Sequence, residues 1–200
     1  MHLFIELLTL VCFLALVVHA WVMRGRQGLE LFAAMLFLGL VRENFVIVYR
    51  FLYSFAPLSL MLGKAPLISS IIWGFSIYAA VTWTEGITGE RLDARRPRPS
   101  NRFLALAALF MLALACFYEP FLKLIRMARW EEGTRTVLDV PLIALIGYPT
   151  LTVLFLLVWC HIWHRFPRPM PRGTALVLTL IPLAVLHALS LQELKTFLGW

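Results

Sequence analysis

Five stretches of the chain, Leu3 to Met23, Ala65 to Trp83, Phe103 to Tyr118, Pro141 to Trp163 and Thr174 to Leu191, are apolar with few interruptions. A helix of about 20 residues crosses the roughly 30 Å hydrocarbon layer of a bilayer, so each stretch predicts a membrane-spanning helix or one close to it. A sixth, Leu29 to Tyr53, has the length but is interrupted by charge. Membrane β-strands alternate polar and apolar positions over about ten residues. These runs do not alternate, which excludes a transmembrane barrel. The pattern predicts an all-α fold: a polytopic integral membrane bundle of about six transmembrane helices, forming a single domain over residues 1–200. The first run has no basic residue ahead of it and exceeds a signal-peptide core, so it is expected to remain as a helix.

Composition sharpens this picture. Hydrophobic residues make up 61% of the chain and charged residues 14%, against about a quarter charged in soluble domains. Disorder and a soluble core are excluded. Cys12, Cys116 and Cys160 all lie in apolar runs, where a thiol behaves as a small hydrophobe, so no disulfide framework is implied. A net charge of +7 would suit nucleic acid, but the basic residues gather at the ends of the runs, as in a membrane protein. No nucleic-acid partner is expected. With six spans, the loops at 24–27, 85–102 and 164–172 share one side and carry ten Lys and Arg, against six on the other side. The positive-inside tendency then predicts a bacterial inner-membrane protein with both termini on the non-cytoplasmic side. The arginine-rich run from Arg91 to Ser100 reads as a solvated stop-transfer segment.

Compared with itself, the chain shows a repeat. Glu43 precedes Pro66-Leu67-Ile68 by 23 residues, and Glu119 precedes Pro141-Leu142-Ile143 by 22. Each copy places an acid late in one span and a Pro-Leu-Ile at the start of the next, where proline costs no hydrogen bond. This predicts a parallel internal repeat, units 28–84 and 103–163, about an axis along the membrane normal, with a site between the units. Glu43 should lie about 22 Å, and Glu119 about 24 Å, along their helices. Asp139 and Glu6 approach the same layer from the outside, accompanied by Arg42, Asn44, Arg50 and Lys123. An ionisable group at the centre of a membrane helix costs roughly 2.5–3.5 kcal/mol on insertion scales and usually faces a cavity or a partner. The alternative is a structural ion pair, Glu43 with Arg50 or Glu119 with Lys123.

These residues resemble those of a family of bacterial and archaeal membrane proteins of carotenoid biosynthesis, the carotenoid 1,2-hydratases such as bisanhydrobacterioruberin hydratase. Glu43, Tyr49-Arg-Phe-Leu-Tyr53, Gly63-Lys-Ala-Pro66-Leu67 and Trp73 are similar to the family's first block. Tyr118-Glu119-Pro120, Trp130, Val140-Pro141-Leu142 and Gly147-Tyr148 are similar to its second. The likeness covers roughly residues 39 to 158. The chain departs from the family pattern in having Ala115 and Ile143-Ala144-Leu145 where an aspartate and an asparagine are usual, Glu119 for the aspartate of the acid-proline pair, and Tyr148 for a tryptophan. The resemblance implies a membrane-embedded hydro-lyase adding water to a terminal C=C bond of a carotenoid or other isoprenoid, with no cofactor.

Such a reaction needs a neutral acid to protonate one alkene carbon, a water to capture the cation, and a base for the water's proton. Glu43 is the first candidate for the acid, with Glu119 or Asp139 as its carboxylate partner. Aromatic faces stabilise a cation, so Tyr49, Tyr53, Trp73 and Trp130 are candidates to bind substrate beside Asn44, although tyrosine and tryptophan also belt membrane interfaces. The histidines, His161 and His164 included, show no metal-ligand spacing, and no metal site is expected. Gly74, Ser76, Ala79 and Ala80 suit close packing of the third helix. Expected partners are membrane lipid, a hydrophobic isoprenoid or carotenoid, and other membrane proteins. The competing reading is a non-catalytic subunit of a membrane complex that holds pigment, lipid or a partner helix.

Overall fold

The computed structural model of the chain describes residues 2–49, 52–55, 60–92 and 96–200, with side chains at all of these except 2 and 47–49. Six helices dominate: α1 (His2–Arg24), α2 (Arg26–Tyr49), α3 (Leu67–Thr88), α4 (Asn101–Leu124), α5 (Leu142–Arg165) and α6 (Pro169–Leu198). The fold is an all-α bundle, and all but α2 are long and apolar enough to cross a membrane. The exception carries Arg26, Glu30, Arg42 and Glu43 within its length.

Helix α2 packs on α3, α3 on α4, α4 on α5, α5 on α6, and α6 closes back on α2, which makes a ring of five. Helix α1 lies outside the ring against α2 and α3. Accordingly only 11% of its apolar window is buried within the protein, against 72% for α3. Close approach of α2 and α3 depends on Gly39, where a Cβ would come within 2.9 Å of the Trp73 Cβ.

Ion pairs tie the arginine-rich end. Arg24 pairs with Glu85 from α1 to α3. Arg172 of α6 grips both oxygens of Glu30 at 2.8 Å and lies 3.6 Å from the Trp163 ring. Both contacts join loops expected to share a membrane side. The opposite end is built from short strands: β1 (Tyr53–Phe55), β2 (Met61–Leu62), β3 (Ala65–Pro66), β4 (Ala128–Trp130), β5 (Thr136–Val137) and β6 (Val140–Pro141).

The strands show how the two units correspond. Strands β2 and β3 form a hairpin leading into α3, and β5 and β6 form one leading into α5. Pro66 and Pro141 cap these helices with nearly equal dihedrals, φ −61° in both and ψ 137° and 133°. The two-residue turns differ. Gly63 takes φ 73°, whereas Leu138 and Asp139 both adopt left-handed angles of 51° and 63°, the geometry of a type I′ turn usually reserved for Asn and Gly. Strands β1 and β4 pair antiparallel with each other, Tyr53 opposite Trp130.

Candidate functional site

Glu43 is almost completely buried at 1% exposure and Glu119 is buried at 5%. Both line one cavity of about 30 Å³ together with Tyr53, Trp73, Trp130 and Tyr148. Each carboxylate accepts one hydrogen bond per oxygen from an aromatic side chain. The Tyr53 hydroxyl donates to Glu43 Oε2 at 2.6 Å, and Trp73 Nε1–H donates to Oε1 at 2.7 Å. Trp130 Nε1–H donates to Glu119 Oε2, and the Tyr148 hydroxyl to Oε1, both at 2.7 Å.

The donors follow the repeat. Tyr53 of β1 and Trp130 of β4 lie opposite each other in the strand pair, ten and eleven residues after their acids, while Trp73 and Tyr148 occupy the same place in α3 and α5. In the second unit the tyrosine and the tryptophan have exchanged positions. Counterparts also touch one another: the Tyr53 and Trp130 rings are 4.9 Å apart edge to face, and Trp73 stacks on Tyr148 at 4.8 Å. Each donor of Glu43 therefore touches its counterpart among the donors of Glu119.

Arg42 breaks that symmetry. Its Nη1 donates to Glu43 Oε1 at 2.7 Å and to the Tyr53 hydroxyl at 2.6 Å, and its guanidinium lies 4.9 Å from the Trp73 ring. The corresponding residue before Glu119 is Tyr118, which carries no charge. Tyr53 lies in β1, outside the long helices, and burial pushes its hydroxyl well above the usual phenol range. It stays protonated and donates to Glu43 while accepting from Arg42.

Four of the expected residues lie elsewhere: Asp139, Lys123, Asn44 and Glu6. Asp139 is 58% exposed in the β5–β6 turn and pairs with Lys123; its left-handed turn conformation swings it outward, so it is not a third carboxylate of the cavity. The same pair removes Lys123 as the partner of Glu119. Asn44 serves the backbone: its Oδ1 accepts from Lys64 N at 2.6 Å and Ala65 N at 3.2 Å, and its Nδ2 donates to Leu40 O and Leu62 O. It clamps the β2–β3 hairpin against α2. The side chains of Tyr49 and Arg50 fall outside the described residues. Glu6 is buried in α1 and does not line the cavity.

The repeat itself also pointed to residues that single-residue reasoning passed over. Tyr148 stands 29 residues after Glu119 as Trp73 stands 30 after Glu43, so the spacing that matches the acids also matches their donors. Arg42 was expected in this layer but not as the partner of Glu43, because an adjacent residue on an ideal helix points about 100° away.

Two larger spaces meet the cavity. A polar basin of about 490 Å³ shares Glu119 and Trp130 with it and is lined further by Lys123, Arg126, Arg129, Glu131 and Thr134. An apolar groove of about 390 Å³ between α1, α3 and α4 shares Ile72 and Leu122 with it. Leu122 borders all three spaces. A volume near 30 Å³ exceeds the roughly 10–15 Å³ needed to hold one water, and its carboxylate, hydroxyl and indole lining supplies polar partners.

The site can thus hold two carboxylates and a water among four aromatic rings, with an apolar groove and a polar basin sharing its walls. Compared with known protein families, curated proteins and solved structures, the chain matches none.

Proposed function

We propose that the protein is a cofactor-independent hydro-lyase adding water to a terminal C=C bond of a carotenoid or similar isoprenoid. The observation that carries this reading is the pairing of two buried glutamates of unequal charge environment in one water-sized cavity.

Protonation of an unactivated trisubstituted alkene requires a carboxylic acid, not a carboxylate. Glu43 is paired with the guanidinium of Arg42 at 2.7 Å. Glu119 has aromatic N–H and O–H donors and no cation bonded to it among the described residues. This supports Glu119 as the proton donor and Glu43 as the carboxylate, the reverse of the assignment expected from the sequence. The Glu119 proton goes to the less substituted alkene carbon, and the π electrons form the new C–H bond. The tertiary carbon left positive is faced by Tyr53, Trp73, Trp130 and Tyr148, whose π faces stabilise a cation by about 0.5–2 kcal/mol each. Water attacks that carbon, its excess proton passes to Glu43, and a proton returns to Glu119 before the next turnover. Atoms balance as alkene plus water to tertiary alcohol.

The polar basin supports water supply from the strand-bearing end, and the apolar groove supports arrival of a hydrocarbon. The charge distribution of the loops supports a bacterial inner membrane with both termini outside, which puts the basin on the non-cytoplasmic side.

Expression in a lycopene-producing host tests the reading. Hydroxylated product is expected with the native chain and should vanish with Glu119→Gln. Absence of product from the native chain, or product unaffected by that substitution, overturns it in favour of a non-catalytic membrane subunit.

A further inference from the structure

The cavity between the glutamates is far too small for an isoprenoid, so a substrate must extend out of it. The apolar space beside it is the groove that shares Ile72 and Leu122 with it as walls. Helix α3 forms the floor, and α1 and α4 flank it. Leu8 and Phe117, about half or more exposed, stand on either flank where the groove opens outward.

The internal repeat shows why the groove is empty of protein. The counterparts of Ile72, Leu122 and Ile68 in the other unit are Gly147, Val46 and Ile143. There α6 fills the seam: Val46, Ile143, Ala188 and Leu191 form one cluster, and Leu191 would lie 2.9 Å from a Cβ placed on Gly147. On the groove side no helix takes the seat of α6, and the nearest candidate, α1, contributes its loosely packed face. One flank of the acid pair is closed by a helix and the other is left open at the same depth.

We infer that this groove holds the chain of the substrate, a long linear apolar hydrocarbon drawn sideways from the bilayer, with its terminal double bond at Glu119. The inference rests on the hydration reading and adds the route and the residues that set chain length. Thr9 and Cys12 are the small side chains on the α1 wall; enlarging them fills the groove without touching the glutamates or their donors.

The test uses the purified full-length chain in phosphatidylcholine vesicles with a long isoprenoid alkene bearing a diazirine. Mass spectrometry should place the crosslinks on groove residues such as Cys12, Phe75 and Phe117. Cys12→Trp, and independently Thr9→Trp, should reduce labelling and long-chain hydration by about tenfold or more, while hydration of a short water-soluble prenyl alkene stays within about twofold. Retained short-chain turnover shows that the variants fold. Labelling that maps elsewhere, or long-chain turnover untouched by both variants, overturns the inference while the hydration reading stands. A dimer crosslinked through this face would also overturn it by giving the groove to a second copy. Groove labelling with neither alkene hydrated removes the hydration reading instead and leaves a hydrocarbon site.

Discussion

The two acid-bearing units share a scaffold and differ at its most sensitive positions. Both run from a helix through a lone strand and a hairpin into a second helix, and both give their glutamate one tyrosine and one tryptophan donor. In the first unit, Arg42 adds a guanidinium to that arrangement; in the second, Tyr118 stands there instead. A buried ion pair gains Coulomb energy only by offsetting a large desolvation cost, so it is weak evidence for stability and better evidence for a chosen charge state. One copy places a cation against its acid, and the other surrounds its acid with neutral donors. On the proposed reading, equivalent residues of a duplicated site would thereby serve as acid and base.

The comparison breaks most visibly in activity. Glu119→Gln keeps shape and neutrality, so hydration should fall by about 10²–10⁴, the usual contribution of a general acid, with the thermal unfolding curve in detergent little changed. Equal loss of stability in Glu119→Gln and Glu43→Gln would show that the units are not differentiated. Glu43→Gln leaves Arg42 buried without its counter-ion and should cost about 3–5 kcal/mol in denaturant unfolding, and Arg42→Leu should cost a similar amount by stranding the carboxylate. The double variant Arg42→Leu with Glu43→Gln should recover a large part of either loss.

Smaller effects separate the donors. Trp130→Phe and Tyr148→Phe each leave one Glu119 oxygen without its hydrogen bond and should cost about 1–3 kcal/mol. Tyr53→Phe removes a donor to Glu43 and an acceptor from Arg42 together, so its cost should be at the upper end of that range. The hairpins offer a milder contrast. Asn44→Ala strips two backbone N–H groups of their acceptor and should destabilise by about 1–2 kcal/mol. In the other turn Leu138→Gly relieves a left-handed leucine and should stabilise by about 1 kcal/mol.

The smallest effect lies at the opposite end of the bundle. Ser100 caps α4 by accepting from Phe103 N at 3.1 Å, and it donates to Glu90. Ser100→Ala should cost about 1 kcal/mol. The Ser100 hydroxyl is the main reason that the Glu90 carboxyl titrates below its ordinary 4.5. A group whose folded value is depressed stabilises above its unfolded value and loses that contribution as pH falls through the folded one. The difference between native and Ser100→Ala unfolding should therefore shrink as pH drops below 4.5.

Much of this was legible in residue order. The apolar runs predicted the helices, since a backbone in lipid has to satisfy its own hydrogen bonds. The second run was correctly singled out by its charges, and α2 is the helix that does not meet the apolar criterion of the other five. The Pro-Leu-Ile spacing marked the two helix starts, because proline fixes the angle at which a chain enters a helix. Glu43, Glu119, Tyr53, Trp73 and Trp130 were all named from sequence, and they line one cavity. Asp139 was misplaced, since depth along a predicted helix cannot register a tight turn that throws the side chain outward. Asn44 was misread because a polar side chain beside an acid resembles a site residue until the hairpin it clamps is known.

Sequence by itself determined the number of helices, the fitness of five of them to cross a membrane and the existence of two acids in matching places, for these depend on local hydrophobicity and spacing. Tertiary structure alone decided which acid stands beside a cation, which rings meet between the two units and which seam is left open. Those outcomes depend on side-chain directions and on how five helices close a ring with α1 outside it, so they are set by contacts between residues far apart in the chain.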